Sequence, residues 1–228
     1  MKKEDLRRAS KEAPSHISDI EKATRYDVLK AIRDELFAMK GALADERRGN
    51  NVFPVIGEGS HFAKVMFVGE APGKTEAATG RPFCGASGKF LTEMLQGIGI
   101  DRQDVYITNI VKDRPTDNRD PQPEEIALYA PFLDRQIDII QPQVIATLGR
   151  ISMAYVMSKF GLSGKLAPIS KIHGKVFEVS KDELASYANY KHPIDLKVVS
   201  LYHPAVALYN GGMRTVLAQD MKVIGDMI

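Results

Sequence analysis

The 228-residue chain has no tryptophan and a single cysteine, Cys84. One thiol forbids any intrachain disulfide. It also forbids sites built from several thiolates, such as a cysteine-rich zinc site or an all-cysteine iron–sulfur cluster. A reducing compartment is the natural setting. No stretch reaches the roughly 18 uninterrupted apolar residues of a membrane helix. The opening MKKEDLRRASKEAP is polar and of mixed charge, without an apolar segment at leader spacing. No membrane association and a cytoplasmic location are therefore expected. An excess of one charge is lacking too, since 31 Lys+Arg stand against 29 Asp+Glu. That balance neither requires nor forbids nucleic acid. The part after residue 140 is mildly basic, as suits a phosphate backbone or an ordinary solvated surface. His16, His61 and His173 show no metal-ligand spacing, so no metal site is expected.

With 44% hydrophobic and 26% charged residues, the chain has the composition of a globular protein. A chain of this length buries roughly 70% of its unfolded surface, enough for a core without staples. One domain over 1–228 is expected, monomeric, with 1–15 as a loose tail. Ser18 and Glu21 are spaced as a capping box before Ile20, Val28, Ile32, Leu36, Met39 and Leu43. This pattern predicts one amphipathic helix over 18–43, followed by a polar loop, ADERRGNN. Four β-rich apolar runs come next: 64–69 (KVMFVG), 105–111 (VYITNIV), 144–149 (VIATLG) and 196–202 (LKVVSLY). Runs of this kind suit buried parallel strands. Helical patterns occupy 87–98, 123–140, 150–160 and 213–228, and 175–179 reads as an edge strand or hairpin arm. The alternation predicts an α/β fold, a three-layer α/β/α sandwich with a central, mostly parallel four-stranded sheet.

Ligands of such sheets bind beyond the carboxyl ends of the strands. Here those ends are Gly69-Glu70-Ala71-Pro72-Gly73, Thr108-Asn109-Ile110, Leu148-Gly149 and Tyr202-His203-Pro204. Two glycine-rich turns, an amide and an imidazole should converge. The segment GEAPGKTEAATGRPFCGASG lets backbone approach a ligand closely and then opens a helix. It is not a phosphate-binding P-loop, because only three residues separate Gly69 from Gly73-Lys74-Thr75 where four are required. Asn109 carries two donors and an acceptor, so it can read a pyrimidine edge; it can equally form a turn. His203 follows an apolar strand, whereas His192 lies in a polar stretch and reads as surface turn. Cys84 reads as a small buried residue. Glu70 and Glu76 are either paired carboxylates or caps for the loop's own N–H groups.

At this point the residues resemble a known family. Gly69-Glu70-Ala71-Pro72-Gly73, Glu76, Gly80-Arg81-Pro82-Phe83, Gly85 and Ser87-Gly88 resemble the first motif of the family 4 uracil-DNA glycosylases. VYITNIVKDRP (105–115), Asn118-Arg119, Glu125-Ile126, Pro131-Phe132-Leu133, Gln136-Ile137 and Leu148-Gly149 continue it in order, and Tyr202-His203-Pro204-Ala205 matches the last motif. The resemblance runs from about residue 36 to the C-terminus. It implies a DNA repair enzyme that flips uracil out of DNA and hydrolyses its N-glycosidic bond. His203, Asn109 and Glu70 would be catalytic. Ala71, Pro72, Gly73, Glu76 and Phe83, with Asn109 and His203, would bind the base. Ser87, Lys89, Val206, Leu208 and Arg214 would contact DNA. Val206, Leu208 or Tyr209 would wedge into the duplex, or else pack as core. Where the best-known glycosylase branch has a water-positioning aspartate, this chain has Ala71. A branch that traps its product covalently carries a histidine in an insertion after the asparagine motif; 112–123 has neither. A non-catalytic damaged-DNA or nucleotide binder, or a glycosylase for another base, is the alternative.

One departure is large. Most family members hold a 4Fe–4S cluster through four cysteines, and the aligned positions here are Ala38, Gly41, Asp113 and Tyr129. No such cofactor is expected, and ordinary packing should hold that region. The purified protein is expected to be colourless; stoichiometric iron with a visible absorption band would overturn this.

Overall fold

The structure, a computed structural model, describes residues 19–184 and 195–228. Among the described residues six strands form one sheet: β1 Glu58–Gly59, β2 Val65–Gly69, β3 Tyr106–Asn109, β4 Val144–Leu148, β5 Val176–Val179 and β6 Leu196–Leu201, in the order β1-β3-β2-β4-β6-β5. The four expected strands are the parallel interior, β3-β2-β4-β6. The expected count of four is corrected to six. Two antiparallel edges, β1 on β3 and β5 on β6, complete the sheet. The two-residue β1 has no hydrophobic run to announce it, whereas β5 is the segment 175–179 expected as an edge strand or hairpin arm.

Among the described residues the longer helices beside the sheet are α1 Asp19–Ala38, α2 Ala42–Gly49, α3 Lys74–Thr79, α4 Ala86–Gly97, α5 Pro123–Ile140, α6 Arg150–Lys159 and α7 Met213–Gly225. Strand alternation sends Met66 and Val68 of β2 to one face and Val65 and Phe67 to the other. The first face packs on Leu133 and Ile137 of α5 and on Met153, Val156 and Met157 of α6. The second packs on Leu91 and Leu95 of α4 and on Leu217, Met221 and Ile224 of α7. Both faces are dry, which is why the strand runs are continuously apolar. The expected sandwich of three layers is present.

Helix α1 lays Leu29, Ile32 and Leu36 over Val111 and Tyr129 as a third cluster outside α5. The expected single helix over 18–43 is corrected. It breaks after Ala38, Gly41 has φ +128°, and ADERRG, expected as loop, is part of α2. The helix forms because Leu43 and Ala44 are buried and Arg47 finds buried partners. A polar sequence hid a face that only tertiary contacts make inward. The chain's expected tail over 1–15, Ser18 and the expected turn at His192 lie outside the described residues. Among the described residues no helix is long and apolar enough to cross a membrane.

Candidate active site

Parallel strands β2 and β3 end side by side, Gly69 against Asn109, and β6 ends two residues before His203. The loops that follow enclose a cavity of about 160 Å³. Its walls include Glu70, Ala71, Pro72, Gly73, Glu76, Phe83, Ser87, Asn109 and His203. Every residue expected to be catalytic or base-binding therefore lines one cavity.

Gly69 sets how close the walls come. A Cβ there would meet Asn109 Oδ1 at 2.3 Å and Phe83 Cζ at 2.7 Å. Only glycine lets the amide and the ring approach the strand end together. The Phe83 and His203 ring centroids are 5.6 Å apart, tilted by 33°. An aromatic ring, an amide and an imidazole thus share one opening.

Phe83 is buried with φ 46°, a left-handed conformation that costs a bulky residue of order 1–3 kcal/mol. It persists because both neighbouring peptides are pinned. Arg102 Nη2 donates to the Pro82 carbonyl at 2.7 Å. Glu76 Oε1 accepts from the Cys84 and Gly85 N–H groups at 3.0 and 2.9 Å. A Cβ on Gly88 would strike the Phe83 carbonyl at 1.7 Å, so α4 starts flush against this turn. Of the two expected roles for Glu76, capping of the loop is what the geometry holds. Arg81 is exposed and pairs with Glu58 at 2.6 Å, alongside Arg102.

Asn109 is buried, yet neither Nδ2 nor Oδ1 has a hydrogen-bond partner. An orphaned buried amide costs about 1–3 kcal/mol. Aimed at a cavity, it is a donor–acceptor pair awaiting a complementary edge. His203 Nδ1 accepts from the Ala205 N–H at 3.1 Å. This fixes the neutral tautomer with its proton on Nε2. Burial pushes the imidazole below its ordinary range, against the opposing pull of the Glu76 carboxylate. Glu70 is half-buried, and burial pushes its carboxyl upward; Asp120 adds to this and Arg150 opposes it.

Pro115, Asn118 and Arg119 also line the cavity. They belong to a stretch quoted for its motif match, and no role was expected of them. Their only signal is Asp117-Asn118, residues that tolerate the left-handed conformations found there, φ 54° and 56°. Among the residues expected on DNA, Ser87 lines the cavity and Lys89 is exposed. Arg214 donates to Glu93 at 2.6 Å and lies 4.3 Å over the Phe90 ring. In the short turn of helix Val206–Tyr209, Val206 packs against the core, while Leu208 and Tyr209 are exposed, Tyr209 at 90%.

The fold is an α/β sandwich with a pocket at the carboxyl ends of its parallel strands, and a sequence model of the Uracil DNA glycosylase superfamily matches residues 56–222. The chain belongs to that superfamily. It is 45% identical over 203 residues to a type-4 uracil-DNA glycosylase of Sulfurisphaera tokodaii, covering 88% of this chain and 85% of that one. It is 43% identical over 173 residues to one of Archaeoglobus fulgidus, covering 76% and 81%. It is 42% identical over 175 residues to one of Saccharolobus solfataricus, covering 76% of each. Within the superfamily the chain is a member of the type-4 family.

The iron–sulfur group implied by the resemblance does not fit the residues at its expected place. The Tyr129 hydroxyl donates to Asp113 Oδ2 at 2.5 Å. Arg47 Nη1 donates to the same carboxylate at 3.1 and 3.2 Å. The guanidinium also donates to the Leu36 and Phe37 carbonyls at 2.9 and 3.2 Å, just before Ala38. All three side chains are buried. Thiolate ligands are missing, and hard ionic groups meet each other instead. Among the described residues no cluster of His, Cys, Asp and Glu is arranged for a metal. The expectation of ordinary packing is corrected: a buried ion pair with a tyrosine, not apolar contact alone, ties α1, α2, α5 and the 110–115 segment. Burial pushes the Asp113 carboxyl up, and Tyr129 and Arg47 hold it down.

Two outcomes are expected. Asp113→Asn leaves Arg47 buried without its counter-charge, so unfolding free energy should fall by roughly 3–5 kcal/mol in denaturant titration. His203, harder to protonate folded than unfolded, contributes stability that is whole above about pH 6.5 and lost as pH falls through its lowered value. Melting temperatures measured from pH 7.5 to 5 should drop less steeply for His203→Gln than for the wild type.

Proposed function

We propose that the protein excises uracil from DNA, hydrolysing the N-glycosidic bond to release free uracil and leave an abasic site. The observation that carries this reading is the buried, unpartnered Asn109 amide facing a cavity shared with Phe83 and His203. The type-4 uracil-DNA glycosylases to which the chain is similar support it.

The target base leaves the stack at a cost of a few kcal/mol. Phe83 stacks on the flipped ring and fills the space beside C5, where thymine carries a methyl group. Asn109 accepts from uracil N3–H and donates to O4. Cytosine presents the opposite pattern and leaves the amide mispaired, a loss of about 1–3 kcal/mol for each unmet group. As the glycosidic bond lengthens, its electron pair moves onto the base and the sugar becomes oxocarbenium-like. The His203 Nε2–H donates to uracil O2, where the charge gathers. A neutral donor suffices, which fits an imidazole whose Nδ1 already accepts a main-chain N–H. Water adds to C1′ and loses a proton. Glu70, on the cavity wall with a burial-raised carboxyl, is positioned to orient that water and take the proton. Main-chain N–H groups of Ala71 and Gly73 add to the polar wall.

DNA approaches over Ser87 and Lys89. Exposed Leu208 and Tyr209 lie just beyond His203 and suit a wedge that fills the gap left by the base. In this reading the partner is uracil-containing DNA, the enzyme is a cytoplasmic monomer, and no metal or iron–sulfur group takes part.

An alkali-cleavage assay on labelled oligonucleotides carrying uracil, hypoxanthine or a T·G mismatch tests the reading. Cleavage should be confined to uracil, and Asn109→Ala and His203→Ala should each slow it at least a hundredfold. Binding without an alkali-labile product, or full activity in both variants, would overturn it.

A further inference from the structure

The Asn109 amide makes no hydrogen bond of its own, so nothing on the side chain fixes its aim. Its direction must come from the main chain that carries it, and the structure supplies an anchor behind that main chain. Lys112 lies wholly inside the protein, three residues past Asn109. Its Nζ donates to the Asn109 carbonyl at 2.6 Å, to Gln136 Oε1 at 2.6 Å and to Thr108 Oγ1 at 2.7 Å. These three close acceptors match the three donors of an ammonium group, with the Ile56 carbonyl farther off at 3.4 Å.

We infer that Lys112 is a positioning residue for base excision, locking the main chain of Asn109 so that its free amide points into the pocket. The inference rests on Asn109 being the group that reads the base.

The anchor is itself anchored. Gln136 Nε2 donates to the Ile56 carbonyl at 2.9 Å and to the Tyr106 hydroxyl at 3.1 Å. The Thr108 hydroxyl donates to the same Ile56 carbonyl at 2.7 Å. Three segments are tied at one point: the end of β3, helix α5 and the irregular segment leading to β1. None of the partners of Nζ is a carboxylate, and burial pushes the amine well below its ordinary range, with Asp134 opposing. The network survives loss of the proton. A neutral amine keeps two N–H donors for Asn109 and Gln136, and its lone pair accepts the Thr108 hydroxyl. Ile56 O then retains Gln136 Nε2. The clamp on Asn109 therefore does not depend on charge.

A carboxylate or amide facing the pocket could not do this work without competing for the substrate. Holding the main chain from the opposite side leaves both polar atoms of the amide free. The arrangement separates reading from aiming, which is what a preorganised site requires. A shift of about 1 Å at such a group costs on the order of a hundredfold in rate.

The test compares the wild type, Lys112→Met, Lys112→Gln and Asn109→Ala in single- and multiple-turnover excision of uracil from an oligonucleotide, with folded fraction measured by thermal melts. Lys112→Met removes the amine at similar volume. It should lower kcat 10- to 100-fold per folded molecule and move KM less than threefold. Lys112→Gln keeps a shorter donor and should recover part of that loss. Should Lys112→Met fail to fold, Lys112→Gln carries the comparison with the wild type, with the same requirement of a kcat loss at unchanged KM. A kcat within twofold of wild type in either folded variant, or a rate loss equal to the loss of folded protein, overturns the inference. If Asn109→Ala keeps full activity, the reading of the pocket fails first. If Asn109→Ala is inactive while Lys112→Met is not, only the role of Lys112 fails.

Discussion

A polar group in a protein interior that bonds to nothing is costly, and the Asn109 amide is such a group. Much of the surrounding structure is arranged so that this amide stays unpaired. Gly69, having no side chain, leaves the room it occupies. Phe83 closes one side in a strained conformation, and Lys112 holds the carbonyl behind it. A site that had satisfied the amide internally would be more stable and would leave no free donor–acceptor pair facing the cavity. The favourable packing that offsets this cost lies in the two dry faces of the sheet, away from the pocket.

The pocket's other groups are restrained in the same way, by bonds directed away from the opening. His203 is given its tautomer by the Ala205 N–H. Phe83 is pinned through Pro82, Cys84 and Gly85 rather than through its ring. Each functional side chain keeps its working surface free, while main-chain contacts set its position. Strain and orphaned polarity are concentrated within a few residues, which marks the place where function competes with stability.

Away from the pocket, the Arg47–Asp113–Tyr129 network occupies ground that a metal cluster is expected to hold in the family. Replacing four soft ligands with an ion pair and a phenol changes how that region is held together. Charge buried in pairs is costly to desolvate, and removing one partner is worse than removing both. The ties from Arg47 to the end of α1 and from Asp113 to α5 hold three helices and the 110–115 segment in register. That segment leads directly into Pro115, Asn118 and Arg119 on the cavity wall.

The sequence by itself determined the layered α/β architecture, because continuous β-rich runs alternating with helical stripes have few other ways to bury both faces. It also determined which loops meet, because parallel strands deliver their carboxyl ends to one edge, so Asn109, His203 and the turn from Gly69 to Gly88 could be named from the chain. Its reach ended where polar residues act through tertiary partners. ADERRG reads as a loop until Arg47 meets Asp113, and Lys112, just past a strand run, shows no role until Gln136 arrives from α5. The two-residue edge β1, the left-handed φ of Phe83 and the choice of Glu76 as a cap were likewise decided only in three dimensions. Local pattern encodes apolar burial, because burial has a period. Hydrogen bonds between distant segments have none, so only the folded chain reveals them.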